Sequence, residues 1–183
     1  MKKTGKLTAC VFCGSSLGSI DAFQESAEKL GALLAKSNME LVYGGGNEGL
    51  MGTLVSSYLQ AGNKVKGVIP NFLKHILKNE NSVNHIFVED LGERKRIMAK
   101  QSDFFIAMPG GIGTFDELFE ILAMNQLGLS KKPIGLLNTE NFFDPFLNLL
   151  THLERFGFLR SDSKKQMFCQ ASPEKLLAML VNG

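Results

Sequence analysis

The stretch MPGGIGTFDELFEIL, Met108 to Leu122, decides how this chain is read. The apolar run Asp103 to Met108 has the character of a strand. It enters Pro109, then Gly110, Gly111, Gly113 and Thr114, and a helical pattern follows at once. Glycines between a strand and a helix let backbone N–H groups close on an anion at the positive end of the helix. Glu117 stands on that same helix. A phosphate cradle within a turn of a carboxylate points to chemistry on a phosphorylated small molecule. A plainer account competes with it: Thr114 to Glu117 spells a capping box, with Thr114 as the cap and Glu117 bonding back to the first N–H groups.

Outward from this stretch, strand and helix alternate along the whole chain. Strands are expected at Leu7–Cys13, Leu41–Tyr43, Val65–Ile69, Ile86–Val88, Phe104–Met108 and Ile134–Leu137, with a further edge strand at Met167–Cys169. Helices are expected over Asp21–Lys36 with Ser19 as cap, Gly49–Gln60 closed by Gly62, Leu91–Lys100, Thr114–Leu127, Phe142–Arg155 and Pro173–Val181. Between Asn71 and Asn84 the pattern gives a short helix and an exposed loop. Short connections between such units imply an α/β domain, a doubly wound parallel sheet with no second domain in 1–183. Ligands bind such sheets at the carboxyl ends of the strands. The glycine groups at Gly14, Gly44–Gly46 and Gly110–Gly113 all follow strands, so they should converge there.

A chain of 183 residues with 44% hydrophobic residues buries a substantial core. Net charge is +2 with basic and acidic residues interspersed, which argues against a nucleic-acid surface and leaves small anions open. No apolar run approaches the roughly 18 residues of a membrane span. The basic-then-apolar start reads as a first strand rather than a signal peptide, and the expected compartment is the cytoplasm. Cys10 and Cys13 form a C-x-x-C without a second pair and would face opposite sides of a strand. His75, His85 and His152 have no ligand spacing. No metal or cofactor is expected.

GGGNEG, Gly44 to Gly49, matches G-x-G-x-x-G, but it follows the second strand. The next strand ends at Ile69-Pro70-Asn71, without the carboxylate a dinucleotide site wants. A mononucleotide or sugar phosphate suits these glycines better, and a tight turn packing helix on sheet is the plain alternative. GSSLG, Gly14 to Gly18, matches a nucleophile elbow around Ser16. It follows the first strand, however, leaving no earlier loop for an oxyanion hole, and Asp144 and His152 fall on one helix. Ser15 and Ser16 read instead as donors to a phosphate or ribose. ERKR, Glu93 to Arg96, puts cations near a helix start, where the dipole disfavours them. That placement asks for a partner such as a phosphate or Glu117.

Together these motifs resemble the LOG family, named for the plant protein "Lonely Guy". Its marker P-G-G-x-G-T-x-x-E is matched by Pro109, Gly110, Gly111, Gly113, Thr114 and Glu117, and its R-K pair by Arg94 and Lys95. VFCGSS (Val11–Ser16), VYGGGNEGLMG (Val42–Gly52), GVIP (Gly67–Pro70) and NQLGL (Asn125–Leu129) also fit, in family order. The resemblance implies a Rossmann-like homodimer that takes a small-molecule purine nucleotide. It would hydrolyse the N-glycosidic bond of a cytokinin-type, N6-substituted adenosine 5′-monophosphate to free base and ribose 5-phosphate. An AMP nucleosidase and a non-catalytic nucleotide sensor or carrier are the alternatives. By position it implies Arg94 and Glu117 as the catalytic pair. It implies as substrate contacts Gly14, Ser15, Gly45, Gly46, Lys95, Gly110, Gly111, Ile112, Gly113, Thr114, Phe115 and Asp116. Three places depart from the family pattern: Leu91-Gly92 for Met-His, Ala123-Met124 for Thr-Trp, and no glutamate near Ile76. All three are expected to bear on the base pocket.

Overall fold

The computed structural model describes residues 5–77 and 82–182. Seven strands form one parallel sheet: β1 (Thr8–Phe12), β2 (Glu40–Tyr43), β3 (Val65–Pro70), β4 (Val83–Val88), β5 (Phe104–Ala107), β6 (Ile134–Leu137) and β7 (Met167–Gln170). Their order is β4-β3-β2-β1-β5-β6-β7. All five residues of β1 are buried, as expected of a strand covered on both faces. The helices are α1 (Asp21–Lys36), α2 (Gly49–Leu59), α3 (Leu91–Gln101), α4 (Ile112–Gln126), α5 (Asp144–Arg155) and α6 (Pro173–Asn182). One core joins α1, α2 and α6 to the sheet face that carries Ala9, Val11 and Cys13. The other joins α3, α4 and α5 to the face that carries Cys10 and Phe12. The sheet is therefore doubly wound, and Cys10 and Cys13 do face opposite ways. Gly31 lets α1 lie directly on α2, since a Cβ there would overlap Leu54 O.

Strand order reverses between β1 and β5, which makes the crevice at their carboxyl ends the ligand position of this topology. Gly14 N donates to Pro109 O at 3.0 Å and Met108 N to Phe12 O at 2.9 Å, tying the two loops at that crevice.

Several expected details differ. Ser19 does not cap α1. The chain turns at Gly18 (φ 78°), Ile20 is the N-cap, and Phe23 N bonds to Ile20 O, which leaves Ser19 a residue too early. Strand β4 starts at Val83, not Ile86, and pairs with β3 from Val65↔Val83 to Pro70↔Val88. It is an edge strand, so Asn84 and His85 break the apolar pattern without ending the strand. The expected loop between Asn71 and Asn84 begins as a 3₁₀ turn, Asn71–Ile76, and its residues 78–81 lie outside the described residues. Gly62 (φ 75°) does end the turn after α2.

The largest difference concerns the capping box. Helix α4 starts at Ile112 with Gly111 as N-cap, so Thr114 is its third residue and caps nothing. Glu117 falls a turn too deep to reach the first N–H groups. A side-chain cap stands instead at α3, where Asp90 Oδ1 accepts from Glu93 N (2.7 Å) and Glu93 Oε2 accepts from the N–H of Glu89, one residue before the cap (2.8 Å). The same sequence logic, D-x-x-E at Asp90–Glu93, was there to be read.

Candidate active site

The three glycine turns converge. Gly14 and Ser15 after β1, Gly44 and Gly46 after β2, and Gly111, Ile112, Gly113 and Thr114 after β5 line one cavity of about 380 Å³, within the range of ligand clefts. Arg94 from α3 and Glu117 from α4 line it as well, and Cys13, Met51, Ile69, Leu73 and Ile76 supply an apolar wall. A larger hollow of about 470 Å³ between α1 and α2 has Glu28 as its one ionisable lining residue and no cation. The switch-point cavity is the one equipped for chemistry.

Glu117 is buried, with its side chain 8% exposed, and Arg94 Nη2 lies 3.2 Å from its Oε1. The contact is an ion pair without hydrogen-bond alignment, since Oε1 accepts no hydrogen bond among the described residues. The guanidinium is held by backbone instead. Its Nε donates to Val68 O (3.1 Å) and its Nη2 to Gly44 O (3.3 Å). A Cβ on Gly44 would overlap that Nη2, so the glycine after β2 is what admits the arginine. Burial pushes the Glu117 carboxyl up to about 7, and Arg94 offsets only part of this. At neutral pH the group is poised between acid and base, the condition that suits proton transfer. Burial also raises both neighbouring thiols, Cys10 and Cys13, so neither is a nucleophile.

Two helix N-termini face the glycine turns, and only one is free. At α2, Leu50 N donates to Ser16 O and Met51 N to Gly14 O. At α4 no acceptor is bonded to the N–H groups of Ile112, Gly113 or Thr114 among the described residues. The bare end of α4 is therefore the candidate anion position. The absence of a capping box is what leaves it bare.

Some expected contacts lie elsewhere. Gly45 (φ 82°) shapes the turn, its missing Cβ directed at Ile69, while Gly44 and Gly46 face the cavity. Gly110 serves packing, where a Cβ would overlap Thr114 Oγ1 and crowd Gly14 N. Phe115 packs among Phe142, Phe143 and Phe146 in the core. Lys95 and Asp116 pair with each other at 2.9 Å outside the cavity. Arg94 and Lys95 thus both have the partners that their place at a helix start asked for. Of the three departures from the family pattern, Ile76 lines the cavity, and Leu91-Gly92 and Ala123-Met124 do not. His152 stacks on Phe156 and Asp144 bonds to Asn138, so neither serves Ser16. Sequence reasoning missed Met51, Ile69 and Leu73 as cavity residues; the signal was, for Met51, its place after the second glycine turn and, for Ile69 and Leu73, their place at and just beyond the carboxyl end of β3. Among the described residues no group of three or more His, Cys, Asp or Glu is placed to hold a metal.

Known proteins bear on this arrangement. The family described as "Possible lysine decarboxylase" matches residues 51–180. That label sits poorly with the cavity, which no lysine among the described residues lines, whereas pyridoxal-phosphate chemistry needs a Schiff-base lysine. A rice protein (Oryza sativa subsp. japonica) named a probable cytokinin riboside 5′-monophosphate phosphoribohydrolase is 43% identical over 169 residues, covering 92% of this chain and 76% of its own. An Arabidopsis thaliana cytokinin riboside 5′-monophosphate phosphoribohydrolase is 37% identical over 181 residues, covering 98% and 84%. Among solved structures, the molybdenum cofactor binding protein of Rippkaea orientalis superposes with a TM-score of 0.74 at 24% identity over 98% of each chain. The molybdenum cofactor carrier protein of Chlamydomonas reinhardtii gives 0.73 at 21% over 98% of this chain and all of that one. At such identities these structures share the fold alone. The level of identity to the plant proteins, over nearly the whole length, decides the matter: this chain belongs to the LOG family.

Proposed function

We propose that this protein hydrolyses the N-glycosidic bond of an N6-substituted adenosine 5′-monophosphate, releasing free base and ribose 5-phosphate. The observation that carries it is a buried, near-neutral-pKa carboxyl beside an arginine, facing a bare helix N-terminus in one cavity. The names of the plant relatives fit the same reaction.

The 5′-phosphate binds the N–H groups of Ile112, Gly113 and Thr114. The base lies against Met51, Ile69, Leu73 and Ile76, an apolar wall suited to an apolar N6 group. Cleavage passes through an oxocarbenium-like ribose, as in O-glycoside hydrolysis. Ionised Glu117 stabilises the growing positive charge and takes a proton from water. The water oxygen bonds to C1′, the C1′–N9 pair leaves with the purine, and the proton on Glu117 returns to it. Arg94 keeps Glu117 ionised for part of the population at neutral pH. Positioned general-base help is worth about 10²–10⁴-fold, or roughly 3–5 kcal/mol of barrier. Asp116, exposed and tied to Lys95, is not placed to protonate the base.

Incubation with AMP and with isopentenyladenosine monophosphate tests the reading. Free base from the substituted nucleotide is expected, at higher kcat/KM than from AMP. Adenine from AMP alone would make this an AMP nucleosidase. Release from neither would leave a nucleotide carrier.

A homodimer goes with this reading, supported by large apolar side chains around the cavity mouth and beyond it. Ile112 is 87% exposed, and Phe72, Leu127 and Leu129 are also exposed. Light scattering is expected to give twice the 20.1 kDa chain mass; the chain mass itself would overturn the dimer. One domain spanning 1–183 carries the activity. A cytoplasmic setting suits three free cysteines, and among the described residues no helix is long and apolar enough to cross a membrane.

A further inference from the structure

Three carboxylates crowd the start of α4: Asp116, Glu117 and Glu120. Asp116 and Glu120, four residues apart, share a face where like charges repel. Glu117, beside them on the helix, lines the cavity, which they do not. Two consecutive residues of α3 meet all three. Arg94 reaches Glu117, and Lys95 Nζ lies 2.9 Å from Asp116 Oδ2 and 2.6 Å from Glu120 Oε2. The Lys95 side chain is only 16% exposed and does not line the cavity.

We propose that Lys95 is a positioning residue, not a substrate contact: by bridging Asp116 and Glu120 it offsets one of the two negative charges flanking Glu117 and keeps Glu117 available as an ionised base.

The charges facing Glu117 are few and can be named. Arg94 and Lys95 come from α3, and Asp116 and Glu120 from α4 itself. Cys10 and Cys13, from β1 and its end, are neutral because burial holds both thiols protonated. Without Lys95, two negative charges would act on Glu117 from its own helix, with Arg94 alone opposing them. Burial opposes the Lys95 charge, but hydrogen bonds to Glu120 and Asp116 more than restore it, so the bridge persists across the working pH range. The two rungs, Arg94–Glu117 and Lys95–Asp116/Glu120, also fix α3 against α4.

The inference rests on Glu117 being the base. In Lys95→Met the acid limb of kcat/KM is expected to move up by about one pH unit. That lowers kcat at pH 7 about fivefold and leaves pH 9 near wild type. KM should change less than twofold. Lys95→Arg should restore the profile. The triple variant Lys95→Met/Asp116→Asn/Glu120→Gln should bring the acid limb back to its wild-type position or below it, because both flanking negative charges are gone along with Lys95. A raised KM with an unmoved limb would make Lys95 a substrate contact and overturn the proposal. A loss at every pH that the triple variant does not repair would reduce Lys95 to a clamp and overturn it equally. The ¹³C signal of the Glu117 carboxyl, assigned by its absence in Glu117→Gln, follows the same titration without substrate. An unmoved midpoint in Lys95→Met overturns the proposal whatever the protein hydrolyses. A moved midpoint in a protein that releases no base would instead remove the hydrolase reading and keep the Lys95 coupling.

Discussion

Glu117→Gln is expected to lower release of free base by about 10²–10⁴-fold, the range for loss of a positioned general base, while nucleotide Kd stays within a few-fold. Glutamine keeps the shape of the side chain and its place beside Arg94, but it cannot take a proton from water. Wild-type turnover in this variant would remove Glu117 from the mechanism. The wild-type rate should also climb with pH up to about 7, where Glu117 ionises, and level off above it. The same substitution should make the protein more stable, in a way that depends on pH. In the folded state Glu117 titrates at about 7 instead of 4.5, so the fold favours its protonated form. That contribution is fully present below about pH 4.5 and is lost as pH rises through 7. On this shift the loss amounts to about 3 kcal/mol at most. Tm of Glu117→Gln should therefore exceed wild type by several degrees at pH 8 and match it near pH 4. An offset constant across that range would mean that Glu117 is not perturbed. A residue that weakens the fold when ionised and carries the reaction when ionised is the expected trade at an active site.

Arg94→Met is expected to cost about 100-fold or more in kcat/KM at pH 7, with partial recovery at pH 9. Arg94 is the one cation among the described cavity-lining residues, so its loss pushes Glu117 further toward the neutral form. Stranding a charged carboxylate in the interior would cost roughly 3–5 kcal/mol. Glu117 escapes most of that by taking up a proton, which near its own pKa costs little, so the variant should fold. Val68 O and Gly44 O lose their donor, a smaller penalty of about 1 kcal/mol each. Arg94→Lys should not rescue activity, because an ammonium cannot span Val68 O, Gly44 O and Glu117 from one planar group. Full activity in the lysine variant would show that charge alone matters there. Unfolding of Arg94→Met at pH 7 would show that the pair is structural.

How far the sequence could be read depended on which interactions were local. Strands β1, β2, β5 and β6 are continuous apolar runs because both their faces are covered, so they were plain. Strand β4 lies at the edge, and the polar Asn84 and His85 hid half of it. The convergence of the glycine turns followed from topology alone. Which glycine faces the cavity did not: the difference between Gly44 and Gly45 lies in one positive φ and in where Arg94 passes. TFDE carried the letters of a capping box, yet tertiary pairing with Arg94 claimed Glu117, and the helix began two residues earlier. Lys95 stands beside Arg94 in the sequence. The 100° turn between successive helical residues sends it to other carboxylates, a separation no motif records.

The closed end of α2 has a consequence for selectivity. Its Leu50 and Met51 amides are spent on the carbonyls of Ser16 and Gly14, so of the two helix ends at this crevice α4 is the one that keeps its amides for a phosphate. A second or third phosphate on the same nucleotide would find those two amides of α2 already taken. On the proposed reading the protein counts phosphates. A preference for the monophosphate over di- and triphosphates would then draw on two backbone hydrogen bonds as well as on side chains.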